Sequence, residues 1–162
     1  VLTFGFYGIL WFYWHFRRLK EYYRDDSWPV MRSIFAVFFT HTLFRDIADK
    51  DRKTDMPLAW NPGIVATILV LTQMGMSVVN RIEASAISKV PYSTLFPLLY
   101  IVITSYCFTV AQKAANHAVA DPKGESNNRL NWVNYLFLVP GAIFMLLYLL
   151  GTLAMVVSGE PL

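Results

Sequence analysis

The residues of this chain most able to do chemistry are three histidines, His15, His41 and His117. A neutral imidazole nitrogen can bind zinc, copper, haem iron or the magnesium of a chlorophyll-type pigment, and two or three rings that met would form a site. No two of them are spaced at i, i+4, and His117 falls in a polar stretch that favours a loop. We therefore expect hydrogen-bonded histidines with no cofactor and no metal. Ligation of a haem or a chlorophyll-type pigment by His41 or His15 is the alternative.

The other reactive side chains predict no catalytic site, so we expect the protein not to be an enzyme. Cys107 is the only cysteine, and a lone buried thiol packs as a small hydrophobe. Asp25 and Asp26 are adjacent carboxylates in a charged stretch, where solvation is more common than catalysis or metal binding. No Asp or Glu falls in a long apolar stretch, as the proton relay of a transporter would need.

The composition indicates which structural elements carry these residues. Hydrophobic residues make up 56% of the chain and charged residues only 15%. Soluble domains carry about 25% charged residues. Charge-free windows predict helices that cross a membrane, since roughly 20 apolar residues span the hydrocarbon core. The predicted spans are about residues 1–16, 62–80, 94–114 and 132–157. The first is short, and we expect its helix to begin before Val1. Basic residues follow it rather than precede it, which argues against a signal peptide.

The distribution of positive charge predicts the orientation of the four spans. Nine of the 14 Lys and Arg residues lie between the first and second spans, two lie in the next connection, and three lie in the last. The two connections on one side thus carry 12 Lys and Arg residues, and the connection on the other side carries two. By the positive-inside rule, the long basic connection is cytoplasmic and both termini lie on the outer side.

A short apolar segment, at about residues 30–47, interrupts the basic connection. Its uncharged part is too short to span, so we expect an interfacial or re-entrant helix. At helical spacing it has an apolar face with Phe35 and Phe38, and a narrow small or polar stripe with Ser33 and Thr40. The mixed-charge run 45–55 after it predicts a solvated linker. The predicted fold class is all-α, a single domain 1–162 with four transmembrane helices and this short helix.

Uncharged polar residues of the spans predict helix contacts, because amides and hydroxyls in a membrane bond across helices. The predicted packing residues are Gln73, Ser77, Gln112, Asn116 and Asn134. A polar translocation path is the alternative. Arg17, Arg18 and Arg32 lie at a membrane boundary, where we expect contact with anionic lipid head groups. For Arg32, an internal ion pair or a defined lipid site is the other option.

Three motifs resemble a family of small, uncharacterised bacterial multi-pass membrane proteins. They are Thr3-Phe4-Gly5-Phe6-Tyr7, Trp11-Phe12-Tyr13 and Pro29-Val30-Met31-Arg32-Ser33-Ile34-Phe35, with Gln112, Asn116 and Asn131 at positions where the family tends to have Gln and Asn. The chain departs from the pattern at Leu10, where a Tyr is expected, and at Trp14-His15-Phe16, which replaces a more polar stretch. The resemblance implies a helical bundle in the bacterial inner membrane and no established activity.

Two functions fit these features. The first is a non-catalytic accessory or structural subunit that packs against a larger membrane complex, such as an energy-transducing one. Its expected partners are the lipid bilayer and other membrane protein subunits, with no nucleic acid. The second is a small transporter or channel that acts alone or as a homo-oligomer. The absence of internal repeats and of Asp or Glu inside the spans favours the first.

Overall fold

Helices account for every regular element in the part of the chain that the computed structural model describes, which is residues 6–55, 57–79, 81, 92–127 and 132–158. They are α1 (Phe6–Tyr23), α2 (Pro29–Ile34), α3 (Ala36–Asp51), α4 (Pro62–Val79), α5 (Tyr92–Ala118), a 3₁₀ turn (Glu125–Asn127) and α6 (Trp132–Ser158). The predicted all-α class is confirmed for these residues.

Three of the helices are long and apolar enough to cross a membrane. The qualifying segments are Pro62–Val79, Leu95–Ala118 and Asn134–Ala154, which lie in α4, α5 and α6. The shortest has 18 residues, which gives a length of about 27 Å at 1.5 Å per residue. α1, the predicted first span, is not among the three within the described residues, and residues 1–5 of that prediction lie outside them. The protein is thus a helical membrane protein with three candidate spans.

α4 begins with a capped first turn. Asn61 precedes Pro62, and its side-chain Oδ1 accepts a hydrogen bond from the backbone N–H of Ile64 at 3.0 Å. This bond satisfies one of the free amides of the first turn, and proline at the first helical position loses no helical hydrogen bond. The helix therefore begins at Pro62.

The core of the bundle lies between α1, α3, α4 and α5. Each of these helices contributes three buried apolar side chains: Phe12, Phe16 and Leu19; Leu43, Phe44 and Ile47; Val65, Ala66 and Leu69; and Cys107, Ala111 and Ala114. Trp11 and Phe108 add an edge-to-face pair with centroids 5.0 Å apart. Small residues on α4 and α5 let the helix backbones approach closely, and bulky residues of α1 and α3 fill the remaining space. Cys107 packs in this core as a small apolar side chain.

The short apolar segment forms two helices, because the backbone breaks at Phe35. Its small polar stripe faces inward: Ser33 and Thr40 are buried, while Phe35 and Phe38 are exposed. The buried hydroxyls cost little, since Ser33 donates to the Val30 carbonyl oxygen at 2.7 Å and Thr40 donates to the Ala36 carbonyl oxygen at 2.7 Å. The aromatic face is thus available to lipid.

Two boundaries differ from those predicted. The segment predicted to end near residue 47 continues as α3 to Asp51, so most of the expected linker 45–55 is helical. The span predicted to end near residue 114 continues as α5 to Ala118, which places His117 in a helix instead of a loop. Both changes bring polar residues from loops into the packed end of the bundle.

α6 differs from the other long helices in how little of it is buried. The 18-residue window of its span Asn134–Ala154 is 6% buried, against 17% for each of the spans in α4 and α5. Among the α6 side chains that the structure describes, most buried or half-buried positions lie in one stripe, with half-buried Gly151 beside it; the stripe consists of Asn134, Leu138, Gly141, Met145, Tyr148 and Thr152. Leu136, Ile143 and Leu150, on the other side, are exposed. The described part of α6 therefore has one less exposed side and one exposed side.

Candidate functional site

The candidate site is a carboxylate–imidazole pair formed by Asp51 and His117. Asp51 is the last residue of α3, and it lies on the same face as Phe44 and Ile47 because residues three and four positions apart share a helix face. His117 lies in the last turn of α5. The Oδ1 atom of Asp51 is 2.6 Å from Nδ1 of His117, although 66 positions separate them in sequence.

The surroundings of Asp51 explain how a carboxylate can be buried there. Its side chain is 1% exposed, and its second oxygen, Oδ2, accepts the backbone N–H of Leu58 at 2.9 Å. The hydroxyl of Thr54 donates to the Asp51 carbonyl oxygen at 2.7 Å and lies 3.4 Å from Nδ1 of His117. Both carboxylate oxygens are thus bonded, which offsets the cost of removing them from water.

The pair fixes which imidazole nitrogen carries a proton. A carboxylate oxygen accepts a hydrogen bond, so Nδ1 of His117 is the donor. Nε2 is then the nitrogen that can exchange a proton with solvent or bind a ligand. The His117 side chain is 21% exposed, so the ring reaches the surface while Asp51 does not. This is the arrangement in which a carboxylate orients a histidine for proton exchange or metal ligation. The same geometry also serves as a clamp between α3 and α5.

A second polar chain lies one turn earlier on α5. The indole Nε1–H of Trp11 donates to Oε1 of Gln112 at 2.6 Å, and Nε2 of Gln112 donates to Oδ1 of Asn116 at 2.6 Å. Gln112 and Asn116 share a face because they are four residues apart. Gln112 thereby connects α1 to α5, while Asn116 holds the Gln112 amide in place.

The three histidines have separate partners. His15 donates from Nδ1 to the Trp11 carbonyl oxygen at 2.8 Å, and its ring stacks on the Trp11 indole with centroids 3.9 Å apart. His41 is exposed, with Nε2 3.0 Å from Oγ1 of Thr67 on α4. Among the residues described, no group of three or more His, Cys, Asp or Glu side chains could hold a metal ion. Ligation of a haem or pigment by His41 or His15 alone stays a prediction.

The basic residues predicted to contact lipid make contacts within the chain or lie exposed. The guanidinium of Arg32 lies over the Phe16 and Phe39 rings, 6.0 and 5.6 Å from their centroids. Arg17 pairs with Glu21 at 3.1 Å and also approaches the ring of Trp14. Arg18 is exposed. Arg32 is therefore anchored by cation–π contacts, whereas Arg18 is open to the surroundings.

The remaining predicted packing residues divide between helix contacts and local bonds. Asn134 accepts a hydrogen bond from the hydroxyl of Tyr7 at 3.1 Å, which joins the first turn of α6 to α1. Gln73 is half-buried on α4. Ser77 donates to the carbonyl oxygen of Gln73 at 2.9 Å, within its own helix. Asn134 thus joins two helices, whereas the Ser77 bond lies within α4.

The C-terminal end of α1 makes a cation–π contact with α3. The Lys50 Nζ lies 3.6 Å from the Tyr22 ring centroid and 5.5 Å from that of Tyr23. Burial lowers the pKa of Lys50, and the nearby Asp46 carboxylate opposes this shift. Burial also raises the pKa of Tyr23 and that of Asp46. The outer face of α3 is thus held to the end of α1 by charge and aromatic contact.

Sequence reasoning missed Asp51 and Thr54. A usable signal was present, because Asp51 continues the buried spacing of Thr40, Phe44 and Ile47. The surrounding charges at Arg45, Asp46, Asp49, Lys50 and Arg52 concealed it. These charged positions lie on the opposite side of the helical wheel, so their presence does not end the buried face.

Comparisons of the chain with protein-family models, with curated proteins and with solved structures found no match. The resemblance of the aromatic motifs to a bacterial membrane family therefore stays a prediction.

Proposed function

We propose that this protein is a non-catalytic accessory or structural subunit that packs against a larger membrane complex, such as an energy-transducing one. In this proposal the chain lies in the bacterial inner membrane and crosses it four times, with α1 as the first span. The termini lie on the outer side and the basic connection lies in the cytoplasm. The excess of Lys and Arg between the apolar part of α1 and the start of α4 supports this orientation.

The observation that carries the proposal is the small buried fraction of α6. Its exposed positions include Phe144, Leu146 and Leu150, each more than half exposed. Lipid gives little driving force for one apolar helix to choose a place beside another, so helix contacts in membranes depend on close packing and polar bonds. A 27-residue helix that packs so little on its own bundle is well suited to docking a second membrane protein.

Site-specific photocrosslinking on α6 in native membranes tests the accessory role. A photoreactive amino acid replaces Leu146 or Leu150 on the exposed side, and Met145 on the half-buried stripe serves as the matched control position. We expect a discrete crosslinked membrane protein from the exposed positions and little from the control. Crosslinks to lipid alone at all exposed α6 positions would contradict an accessory role.

Cysteine labelling tests the four-span orientation separately. Single cysteines at Lys53, at Ser85 and in a short polar extension placed before Val1 are exposed to an impermeant thiol reagent on intact cells, with buried Cys107 retained. The proposal predicts labelling of the extension and of Ser85, and labelling at Lys53 only after lysis. Protection of the extension with labelling of Ser85 would replace the four-span arrangement with three spans. Reversed labelling at Lys53 and Ser85 would invert the orientation.

The second candidate, a small transporter or channel acting alone or as a homo-oligomer, is favoured by one observation. Asp51 places a buried carboxylate beside the end of a candidate span, although the span itself has none. Flux of protons in reconstituted vesicles, measured with an entrapped pH-sensitive dye, tests it. Transport predicts a flux that Asp51→Asn abolishes and Asp49→Asn retains. A proton flux no greater than that of empty vesicles, in the parent protein and in both variants, would exclude a proton-coupled role.

A further inference from the structure

A surface groove of about 530 Å³ runs between the second half of α1 and the start of α2. It is lined by Tyr13, Arg17, Lys20, Arg24, Pro29 and Val30, together with the carboxylates of Glu21 and Asp25. Aromatic and aliphatic side chains therefore share this groove with three cations. It lies where the apolar part of α1 gives way to basic residues, which is the position of head groups in a membrane.

The two carboxylates in the groove are already occupied. Glu21 forms an ion pair with Arg17 at 3.1 Å. Asp25 accepts two hydrogen bonds through Oδ1, from the hydroxyl of Ser27 at 2.6 Å and from its backbone N–H at 3.1 Å. The Ser27 hydroxyl hydrogen bond is the main cause of a lowered pKa of Asp25, and the charges of Arg32 and Lys20 add to it. With Glu21 paired to Arg17 and Asp25 ionised, the two positive charges of Lys20 and Arg24 exceed the remaining negative charge, so the groove keeps one net positive charge for an anion.

These two cations are held at the groove by the backbone. The Lys20 ammonium donates one hydrogen bond to the Ser27 carbonyl oxygen at 2.9 Å, which fixes it across the turn and leaves its other N–H groups for a ligand. Arg24 follows the last residue of α1 and has a left-handed backbone with φ of 53°. This conformation turns the chain towards α2 and brings the Arg24 side chain to the groove lining. An ammonium and a guanidinium together match the oxygens of a phosphate.

Apolar surface continues directly from the groove. Val30, Met31 and Ile34 are exposed on α2, and Trp28 just before it is 73% exposed. A free phosphate would use only the cations, whereas a phospholipid would also cover this apolar surface with its chains. From this combination we propose that the groove binds the phosphate head group of one anionic phospholipid, with Lys20 and Arg24 as its main ligands. The proposal rests on the membrane location and is independent of an accessory role.

Native mass spectrometry of the full chain in mild detergent tests the proposal, with phosphatidylglycerol or phosphatidylcholine added as the probe. We expect one tightly retained phosphatidylglycerol per chain and weaker retention of phosphatidylcholine. The double variant Lys20→Gln, Arg24→Gln removes two cations and should weaken phosphatidylglycerol binding by about thirtyfold. Val30→Trp fills the groove without changing charge and should also abolish tight binding.

The matched control is Arg45→Gln, Lys53→Gln, which removes two exposed cations outside the groove. Binding should change by less than about threefold in this variant. Equal losses in the two double variants would overturn the proposal in favour of diffuse surface charge. Displacement of the lipid by millimolar inorganic phosphate would overturn it in favour of a free-anion site. Unchanged unfolding midpoints in all variants establish that a loss of binding is not a loss of fold.

Discussion

Replacement of Asp51 by alanine measures how much the buried carboxylate–imidazole pair contributes to the bundle. The substitution removes the acceptor of the His117 Nδ1–H, at 2.6 Å, and the acceptor of the Leu58 N–H, at 2.9 Å. With the carboxylate 1% exposed, water has little access to replace it. Each buried donor left without an acceptor costs about 1–2 kcal/mol, so the expected loss in free energy of unfolding is about 2–4 kcal/mol. Asp51→Asn keeps one oxygen acceptor and should cost about half as much.

The assay is reversible unfolding by sodium dodecyl sulfate in mixed micelles, followed by far-ultraviolet circular dichroism and tryptophan fluorescence. Asp49→Ala is the matched control, because Asp49 lies on the same helix and is about half exposed in a 3.3 Å pair with Arg52. An exposed pair contributes about 0.2–1 kcal/mol, so this variant should remain close to the parent protein. A loss for Asp51→Ala no larger than that for Asp49→Ala would refute the reasoning.

A double-mutant cycle separates the pair from the rest of the site. His117→Ala removes the donor, and the combined variant Asp51→Ala, His117→Ala should lose less stability than the sum of the two single variants. Contacting polar residues show coupling of about 0.5–3 kcal/mol. Additive losses would mean that the two side chains stabilise the protein independently, and that the bond between them contributes nothing.

Three further outcomes are expected. Gln112→Ala should lower the free energy of unfolding by about 1–3 kcal/mol because two hydrogen bonds disappear, whereas exposed Lys113→Ala should be near neutral by the same assay. Gly124→Ala should cost about 1–2 kcal/mol, since φ is +67° and a Cβ would lie 2.8 Å from the side-chain nitrogen of Asn116; full stability would contradict this conformation. Hydrogen bonds from Ser126 lower the pKa of Asp121. The stability that these bonds add to the folded protein is therefore complete above the ordinary aspartate pKa, and it is lost as the pH falls through the lowered pKa. Amide exchange at Ser126 should therefore accelerate in acid, and exchange that follows only its intrinsic pH dependence would refute the link.

The sequence was sufficient to locate the apolar helices because each requirement is local. A charge-free window gives the length needed to cross a bilayer. The cap at the start of α4 is local too, because Asn61 bonds the N–H of Ile64, three residues along the chain. The orientation of the short segment needed tertiary information. Its aromatic side and its small polar side are both plausible inner faces, and the bundle buries Ser33 and Thr40 because small side chains with self-satisfied hydroxyls fit there.

The candidate site depended on contacts that sequence spacing does not specify. Trp11 meets Gln112 across 101 positions, and Asp51 meets His117 across 66. Asp51 was also difficult to distinguish from its charged neighbours by composition alone. Only the period of the helix separates Asp51 from Asp49: the first continues the buried face of Phe44, and the second points away from it. A wheel extended through the charges would have selected Asp51, although not its partner.

The placement of polar bonds within the bundle bears on the role of α6. Bonds of Gln112 with Trp11, of Asp51 with His117 and of His41 with Thr67 connect α1, α3, α4 and α5 to one another. Such bonds determine how the helices align with one another in a membrane, because an apolar side chain packs about as favourably on lipid as on another helix. α6 is joined to α1 at its first turn, through Tyr7 and Asn134. A partner that covers the exposed side of α6 would bury Leu146 and Leu150. The accessory role therefore predicts slower amide exchange in α6 in native membranes than in the isolated protein in detergent, and equal exchange in the two would contradict it.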